Sequence, residues 1–223
     1  MSSLTLTPAE RSSELREYKG KVWRIVEAQH RVSTRKLVDS NAEQGLLETL
    51  IDQTKPAVPE DCRELDYLLW TPFRYGTYSR GSRFRRAGRT PGVFYASEDP
   101  MTAAAELALH RLLFFAESPA TPWPANPGEY TGFSSFVASS RSLDLTGRLF
   151  DAAEAIWRHP VDYEPCQELA DAARDAGAQI LRRISARDPL GGACAAVLTC
   201  AAFLGPASLE YQTWRIGVGP SGT

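Results

Sequence analysis

The sequence predicts a single α+β domain whose curved mixed or antiparallel sheet is flanked by helices. The chain has 223 residues, of which 43% are hydrophobic and 23% charged, as in an ordinary one-domain globular protein. Strand-like segments rich in β-branched and aromatic residues lie in the first and last thirds of the chain. Segments with apolar residues at helical spacing lie between them, and no internal repeat at a fixed period interrupts this order.

The first elements follow from capping residues and from alternation. Thr7, Pro8 and Glu10 form a helix start, so we predict a short helix from Thr7 to about Tyr18. Residues 21–29 alternate polar with apolar side chains, which predicts the first strand. Apolar residues at helical spacing predict helices over 41–54 and 62–70. A loop over 71–92 and a short strand over 93–96 follow.

The remaining elements follow from the same signals. Asp99 and Pro100 predict a helix that runs to about residue 115, and the prolines of 119–127 predict an extended loop. We also predict the following strands and helices: strands over 130–138, 179–184, 193–200 and 209–218, and helices over 151–158 and 165–176.

Charge and composition exclude several classes of protein. A formal net charge of −2 and a pI near 6.0 give no overall electrostatic attraction to nucleic acid or to an acidic membrane. The longest apolar run, residues 190–204, is too short to span a bilayer and predicts a core segment. Because no signal peptide opens the chain, we expect a cytoplasmic protein.

Four cysteines lie far apart in the sequence, with no Cys-x-x-Cys pair: Cys62, Cys166, Cys194 and Cys200. We therefore expect buried free thiols, as in a reducing compartment. The three histidines lie beside no second ligand type at a zinc-binding spacing, so no metal site is predicted.

Arginines and glycines are concentrated in residues 71–92. The six arginines are Arg74, Arg80, Arg83, Arg85, Arg86 and Arg89. Guanidinium groups match phosphate oxygens, and glycines allow backbone amides to approach the same group, so the segment is suited to hold a diphosphate. A solvated loop and an RNA-contacting patch are the alternatives, since aromatic residues for base stacking are interspersed.

Three further residues have two interpretations each. Glu106 lies in an alanine-leucine helix, either on its solvent face or as a carboxylate presented into a cleft. Tyr95 is either a half-buried packing residue or a stacking platform for a flat ring. Ser185 is by itself a turn serine. Common nucleotide and hydrolase motifs are missing, and the Gly-x-Gly-x-x-Gly match at 217–222 has no helix after it.

Four segments taken together resemble the RES-domain toxins, which are named for an arginine, a glutamate and a serine. They are Gly81-Ser-Arg-Phe-Arg85, Gly92-Val-Phe-Tyr-Ala96, the helix start from Thr102 to Glu106, and Ile184-Ser-Ala-Arg-Asp-Pro-Leu-Gly-Gly192. The similarity extends from the first strand, Trp23 to Gln29, through Tyr163 to Leu169 and on to Ala195 to Leu198. Each segment is short, and their order and spacing make the set specific.

The resemblance implies an ADP-ribosyltransferase-like fold, NAD as substrate and a role as the toxin of a bacterial toxin–antitoxin pair. The family's arginine falls on Arg83, its tyrosine on Tyr95, its glutamate on Glu106 and its serine on Ser185, while Arg24 occupies the place of a residue that touches a cofactor ribose. Glu106 would stabilise positive charge on the ribose, and Arg83 with Arg24 would bind diphosphate or ribose. Tyr95 would pack on nicotinamide and Ser185 would orient the ribose or carboxamide.

The resemblance leaves three functions to be distinguished. In the first, ADP-ribose is transferred to water or phosphate, which depletes NAD. In the second, it is transferred to a side chain of a host protein. The third alternative is a noncatalytic RNA-binding module. Expected partners are an antitoxin with a helix-turn-helix DNA-binding part and, as alternatives, a protein acceptor and a second copy in a homodimer. Neither a membrane nor direct nucleic-acid binding is expected. We divide the chain into an N-terminal helical extension, 1–19, and an NAD-binding catalytic domain, 20–219.

Overall fold

The computed structural model describes residues 14–28 and 37–223 of the chain. The strands are β1 (Arg16–Glu27), β2 (Phe94–Ser97), β3 (Gly128–Asp144), β4 (Ile180–Ile184), β5 (Ala193–Val197) and β6 (Tyr211–Ile216). The helices are α1 (Asn41–Gln53), α2 (Tyr67–Arg74), α3 (Pro100–Glu117), α4 (Glu154–Trp157) and α5 (Glu164–Asp175). Short 3₁₀ turns occupy Glu60–Cys62, Arg148–Ala153 and Cys200–Ala202.

The six strands form one sheet in the order β1-β2-β5-β4-β3-β6, and β1 also pairs with β3. The long strand β3 pairs antiparallel with β1 along most of its length and parallel with β4 near its end. A bridge between Trp23 of β1 and Ser97 of β2 closes the remaining gap. Strands β1 to β5 therefore form a closed, curved sheet, and β6 pairs with β3 as an additional strand. This arrangement confirms the predicted α+β class with a curved mixed sheet.

Helices cover the sheet on separate sides. Leu69 and Phe73 of α2 are buried with Phe94 of β2 in one apolar cluster, and the inner face of α5 is buried in a second. Helix α3 begins at the N-cap Asp99, whose carboxylate accepts a hydrogen bond from the Met101 amide. Small side chains let α3 lie close to β1, since Ala103 and Ala104 pack with Trp23 and Ile25. This close packing determines where Glu106, three residues after Ala103, is placed.

The N-terminal prediction is wrong over Arg16 to Tyr18, which are the start of β1 and not the end of a helix. Residues 7–13 of that predicted helix lie outside the described part of the chain. Alternation in REYKGKVWRIVE continues back to Arg16, and pairing with β3 from Arg16 onward extends the strand. The boundary we placed between 19 and 20 therefore falls inside β1, and the assignment of 20–219 to one catalytic domain stays a prediction.

The predicted helix over 62–70 is also corrected, because Glu60–Cys62 is a 3₁₀ turn and α2 starts only at Tyr67. The carboxylate of Asp66 accepts a hydrogen bond from the Leu68 amide and fixes this start.

The expectation of four free thiols is wrong for one pair. Cys62 and Cys200 form a disulfide between residues 138 positions apart, with their Cα atoms 5.3 Å from each other. The two 3₁₀ turns that carry them meet beside the first apolar cluster, a proximity that sequence spacing does not reveal. Cys166 and Cys194 are free and buried, as expected. None of the described helices has both the length and the apolar character needed to cross a membrane.

Gly92 precedes β2 at a point where a side chain has no room. A Cβ atom built there would lie 1.6 Å from the carbonyl oxygen of Pro72 in α2. We expect Gly92→Ala to lower the free energy of unfolding by about 3 kcal/mol, because helix and strand must separate to admit the methyl group. Urea unfolding measures this difference.

Gly45 provides the matched control, because nothing lies within 4 Å of the Cβ position there in the exposed helix α1. Gly45→Ala is expected to raise the free energy of unfolding by up to about 1 kcal/mol. Equal stability of the Gly92 variant and the wild type would contradict the close approach.

Candidate functional site

A cavity of about 320 Å³ lies between α3 and the strands β1, β2, β4 and β5. Residues 81–83 of the loop before β2 also line it, and so does Tyr163, which belongs to the segment 157–163 that we call the rim. Four arginines line it: Arg24, Arg83, Arg183 and Arg187. Glu106 is the one carboxylate among the described residues that line it. The lining is therefore strongly cationic around a single anion, which suits a ligand with more than one negative charge.

Glu106 faces the cavity and not bulk solvent, since its side chain is 21% exposed. Its Oε1 accepts hydrogen bonds from Ser185 Oγ at 2.7 Å and from Arg183 Nη2 at 3.0 Å. The thiol of Cys194 lies 3.5 Å from the same oxygen. The interpretation of Glu106 as a carboxylate presented into a cleft is the one that the structure supports.

Burial raises the pKa of Glu106, but the charge of Arg183 and the hydrogen bonds from Ser185, Arg183 and Cys194 outweigh it. The net result is a pKa below the ordinary value of a glutamate, so the carboxylate is ionised at neutral pH. A desolvated and ionised carboxylate interacts strongly with positive charge that develops beside it.

A tight turn behind Glu106 holds its partners in place. The hydroxyl of Ser185 accepts hydrogen bonds from the Arg187 and Asp188 amides, each at 3.0 Å. The carboxylate of Asp188 accepts a hydrogen bond from Thr102 Oγ1 at 2.7 Å, which joins the turn to the first turn of α3. Gly192 is necessary there, because a Cβ atom would lie 2.0 Å from the Thr102 hydroxyl.

Arg83 lines the cavity but is almost fully buried, with 5% of its surface exposed. Its guanidinium donates to the carbonyl oxygens of Trp157 at 2.6 Å and His159 at 2.9 Å. The same group lies over the ring of Tyr163, 4.8 Å from its centre. Arg83 therefore holds the segment 157–163 at the site. The two hydrogen bonds to carbonyl oxygens use part of the donor capacity of its guanidinium, which leaves fewer donors for a ligand.

Tyr95 has its ring in the cavity lining and its hydroxyl in the protein. The hydroxyl shares a hydrogen bond of 2.8 Å with Ser82 Oγ and accepts one of 3.1 Å from the Phe84 amide. Phe84 is fully buried in the second apolar cluster. Tyr95 thus fixes the loop that carries Arg83 and leaves its ring as a rigid wall.

Of the four arginines that line the cavity, Arg24 has the fewest protein partners. Its Nη1 donates to the Tyr95 carbonyl at 3.1 Å, and its guanidinium lies 4.9 Å from the centre of the Phe94 ring. No ion pair joins it to a carboxylate within residues 14–28 and 37–223. Burial lowers the pKa of Arg24 to about 10, so it remains a cation at neutral pH. A half-buried cation of this kind is well suited to bind an anionic ligand.

The family model described as the RES domain matches residues 58–217, which is most of the chain. The chain belongs to the RES-domain family. It also resembles a chain from the crystal structure of the M. tuberculosis MbcT–MbcA toxin–antitoxin complex, with a TM-score of 0.53 and 15% identity over 94% of this chain and 92% of that one. This likeness confirms the fold predicted from the resemblance. No curated protein matches the chain in sequence.

The structure brings four of the five predicted site residues of this RES domain to the cavity wall: Arg24, Arg83, Tyr95 and Glu106. Ser185 is fully buried behind Glu106 and reaches the site through that carboxylate.

Sequence reasoning missed Arg183, Arg187 and Tyr163 as lining residues. Alternation along β4 puts Arg183 and Ser185 on one face, so a signal for Arg183 existed. Arg187 binds the Tyr163 hydroxyl at 2.7 Å and the Pro160 carbonyl at 2.8 Å across the rim, and no local pattern predicts that contact.

The arginine-rich segment of the RES domain is not a free basic patch. Arg74 pairs with Asp52, Arg86 pairs with Asp171, and the Arg85 guanidinium lies 3.9 Å from the centre of the Tyr78 ring. Arg80 and Arg89 remain exposed. Because so few of these cations face outward, the contacts argue against the RNA-binding alternative.

Thr102→Val tests the link between the turn and α3. The hydrogen bond from Thr102 lowers the pKa of Asp188, burial opposes it, and the Leu190 and Gly192 amides lower it further. A lowered pKa in the folded protein stabilises it above the ordinary aspartate pKa, and this contribution is lost as the pH falls through the folded value. We expect the variant to lose about 1–3 kcal/mol of stability at neutral pH.

The loss should shrink at about pH 3, where Asp188 is increasingly protonated. Urea unfolding at both pH values measures it. Thr49→Val in α1 is the control, because the Thr49 hydroxyl bonds within its own exposed helix. A loss of the same size at both pH values would refute the assigned role of the Asp188 carboxylate.

Proposed function

We propose that this RES-domain protein is a toxin that cleaves the bond between nicotinamide and ribose in NAD. The observation that carries the proposal is the ionised Glu106 in a cavity whose other charged groups are arginines. A dinucleotide combines what such a lining selects, namely two phosphate charges and a sugar that becomes positive when its bond to nicotinamide breaks.

Glu106 and Arg24 act directly on the substrate in this proposal. When the carbon–nitrogen bond breaks, its electron pair leaves with nicotinamide and the ribose acquires oxocarbenium character. The Glu106 carboxylate stabilises this charge and accepts a hydrogen bond from a ribose hydroxyl. Arg24, which has the fewest protein partners of the four arginines in the lining, binds the diphosphate. Water or phosphate then adds to the ribose carbon, and NAD is depleted.

Arg83, Tyr95 and Ser185 act around this centre. The rigid ring of Tyr95 packs against nicotinamide. Arg83 adds positive charge beside the diphosphate and holds the rim through the Trp157 and His159 carbonyls. Ser185 acts by orienting Glu106, because its hydroxyl already donates to Oε1 and it does not line the cavity.

Transfer of ADP-ribose to a protein side chain is the alternative fate and shares the cleavage step. For a partner we propose a cognate antitoxin, which is supported by the M. tuberculosis protein of similar fold having been crystallised in a toxin–antitoxin complex. We further propose that this antitoxin has a helix-turn-helix DNA-binding part. We also propose a homodimer and a cytoplasmic location. The Cys62–Cys200 disulfide is unusual for a reducing compartment, and its burial shields it there from reduction.

Glu106→Gln tests the cleavage step. Glutamine retains the size of the side chain and an oxygen for Ser185 but loses the charge, so nicotinamide release should fall about 100-fold or more. The measurement is nicotinamide release from NAD by the antitoxin-free protein, followed by chromatography. Glu117→Gln at the exposed end of α3 is the control and should retain full activity.

The fate of an adenylate label distinguishes the acceptors in the same assay. Label on free ADP-ribose or on its phosphate ester supports NAD depletion, and label on a polypeptide supports protein modification. Absence of nicotinamide release by the wild-type protein would refute both.

Arg24→Gln tests diphosphate binding. We expect KM for NAD to rise about 10-fold or more, because a charge-assisted contact to phosphate is lost. The exposed Arg89→Gln is the matched control and should leave KM unchanged. The RNA-binding alternative predicts the reverse, with RNA affinity weakened by Arg89→Gln and indifferent to Glu106→Gln. An unchanged KM in the Arg24 variant would refute its role.

A further inference from the structure

Two neighbouring arginines of β4 point to opposite faces of the strand. Arg182 forms ion pairs with Glu98 at 2.6 Å and with Asp144 at 3.2 Å. Arg183 turns inward and is 6% exposed, and its Nη2 donates to Glu106 Oε1 at 3.0 Å. The Nη1 atom of Arg183 donates to the Ile184 carbonyl at 3.0 Å, which limits rotation of the guanidinium. The Glu106 carboxylate therefore meets a cation that is itself held in place.

The hydrogen bonds to Glu106 are divided unequally between its two oxygens. Oε1 is approached by Arg183, Ser185 and Cys194, at 3.0, 2.7 and 3.5 Å. None of the residues in 14–28 and 37–223 donates a hydrogen bond to Oε2. A carboxylate oxygen accepts about two hydrogen bonds, so Oε1 is saturated while Oε2 retains its full capacity. Oε1 is therefore bonded within the protein, and Oε2 can accept hydrogen bonds from a ligand.

We propose that Arg183 is a positioning residue, which turns Oε2 of Glu106 toward the cavity and keeps the carboxylate ionised there. This inference rests on the proposed function, in which Oε2 is the atom that meets the ribose. Without Arg183 the carboxylate can rotate about its terminal bond, and desolvation favours its protonated form.

The other groups that face Glu106 do not replace this cation. Cys194 of β5 is a thiol whose pKa burial raises to about 11, so it is a neutral donor at neutral pH. His110, one turn further along α3, has its pKa lowered by burial and by the charge of Arg187, although Glu106 opposes this, and it is neutral as well. Arg187 binds Tyr163 and the Pro160 carbonyl instead. Among the described residues, Arg183 is the cation that bonds to Glu106.

Arg183→Gln and the neighbouring control Arg182→Gln test the proposal. Arg183→Gln removes the ion pair with Glu106, and Arg182→Gln removes the two ion pairs with Glu98 and Asp144 and leaves Glu106 untouched. The first readout is a ¹³C NMR titration of the full chain labelled at the glutamate side-chain carboxyl, with the Glu106 signal assigned by its loss in Glu106→Gln. In the wild type we expect Glu106 to titrate below the ordinary glutamate range. In Arg183→Gln it should titrate at a higher pH, and in Arg182→Gln it should not move.

The second readout is nicotinamide release across pH. In Arg183→Gln, kcat should fall about 10-fold or more at neutral pH while KM changes far less, and the acidic limb of the profile should move upward. Arg183→Lys restores the charge without the guanidinium fork, so the low titration of Glu106 should return with part of the lost kcat. A purely structural role for Arg183 would not move the titration of one carboxylate.

An unchanged Glu106 titration in folded Arg183→Gln overturns the proposal. If that variant does not fold, Arg183→Lys and the wild-type titration still decide, because a wild-type Glu106 that titrates at or above the ordinary range is equally incompatible. The NMR readout needs no turnover of NAD, so a failure of the proposed reaction is recognised separately as a wild-type protein that releases no nicotinamide.

Discussion

The ion pair between Glu106 and Arg183 joins the central helix of this protein to its sheet, and the rest of the site is arranged around it. A carboxylate that is largely removed from water remains charged only with a cation and hydrogen-bond donors close to it. Helix α3 supplies the carboxylate, β4 supplies the cation, and the turn after β4 supplies the Ser185 hydroxyl. Removing one member of such a pair typically costs about 3–5 kcal/mol, because it leaves the other charge buried.

Two kinds of arginine surround this pair, and their partners separate them. Arg83 and Arg187 bind carbonyl oxygens of the rim, and Arg183 binds the carboxylate. Arg24 has a single carbonyl partner and an aromatic ring beneath it. The site thus combines cations that build the cavity with a cation available to a ligand. A count of basic residues in the sequence cannot make this distinction.

Local signals in the sequence were sufficient for most of the fold. Alternation, capping by Asp99 and proline placement located the strands and α3, since these signals act over a few neighbouring residues. The same signals failed at Arg16 to Tyr18, where pairing with β3 determines the conformation. The Cys62–Cys200 bond was missed for a related reason, because it joins turns that meet only in the folded chain.

The candidate site was predictable in part. The two separate motifs that contain Glu106 and Ser185 could be recognised, and alternation along β4 could have added Arg183. Two contacts depend on how distant elements pack together in the fold. They are the hydrogen bond from Ser185 to Glu106 and the hydrogen bond from Arg83 to the Trp157 carbonyl oxygen. Residue types alone do not predict such tertiary contacts.

The way in which the rim is attached has a consequence for the substitutions that this chain tolerates. Arg83 holds the segment 157–163 through main-chain oxygens, which every amino acid carries. An exposed side chain of this segment such as Val161 can therefore be exchanged without removing these two hydrogen bonds. The surface chemistry beside the cavity can therefore change while Arg83 keeps the same two partners inside.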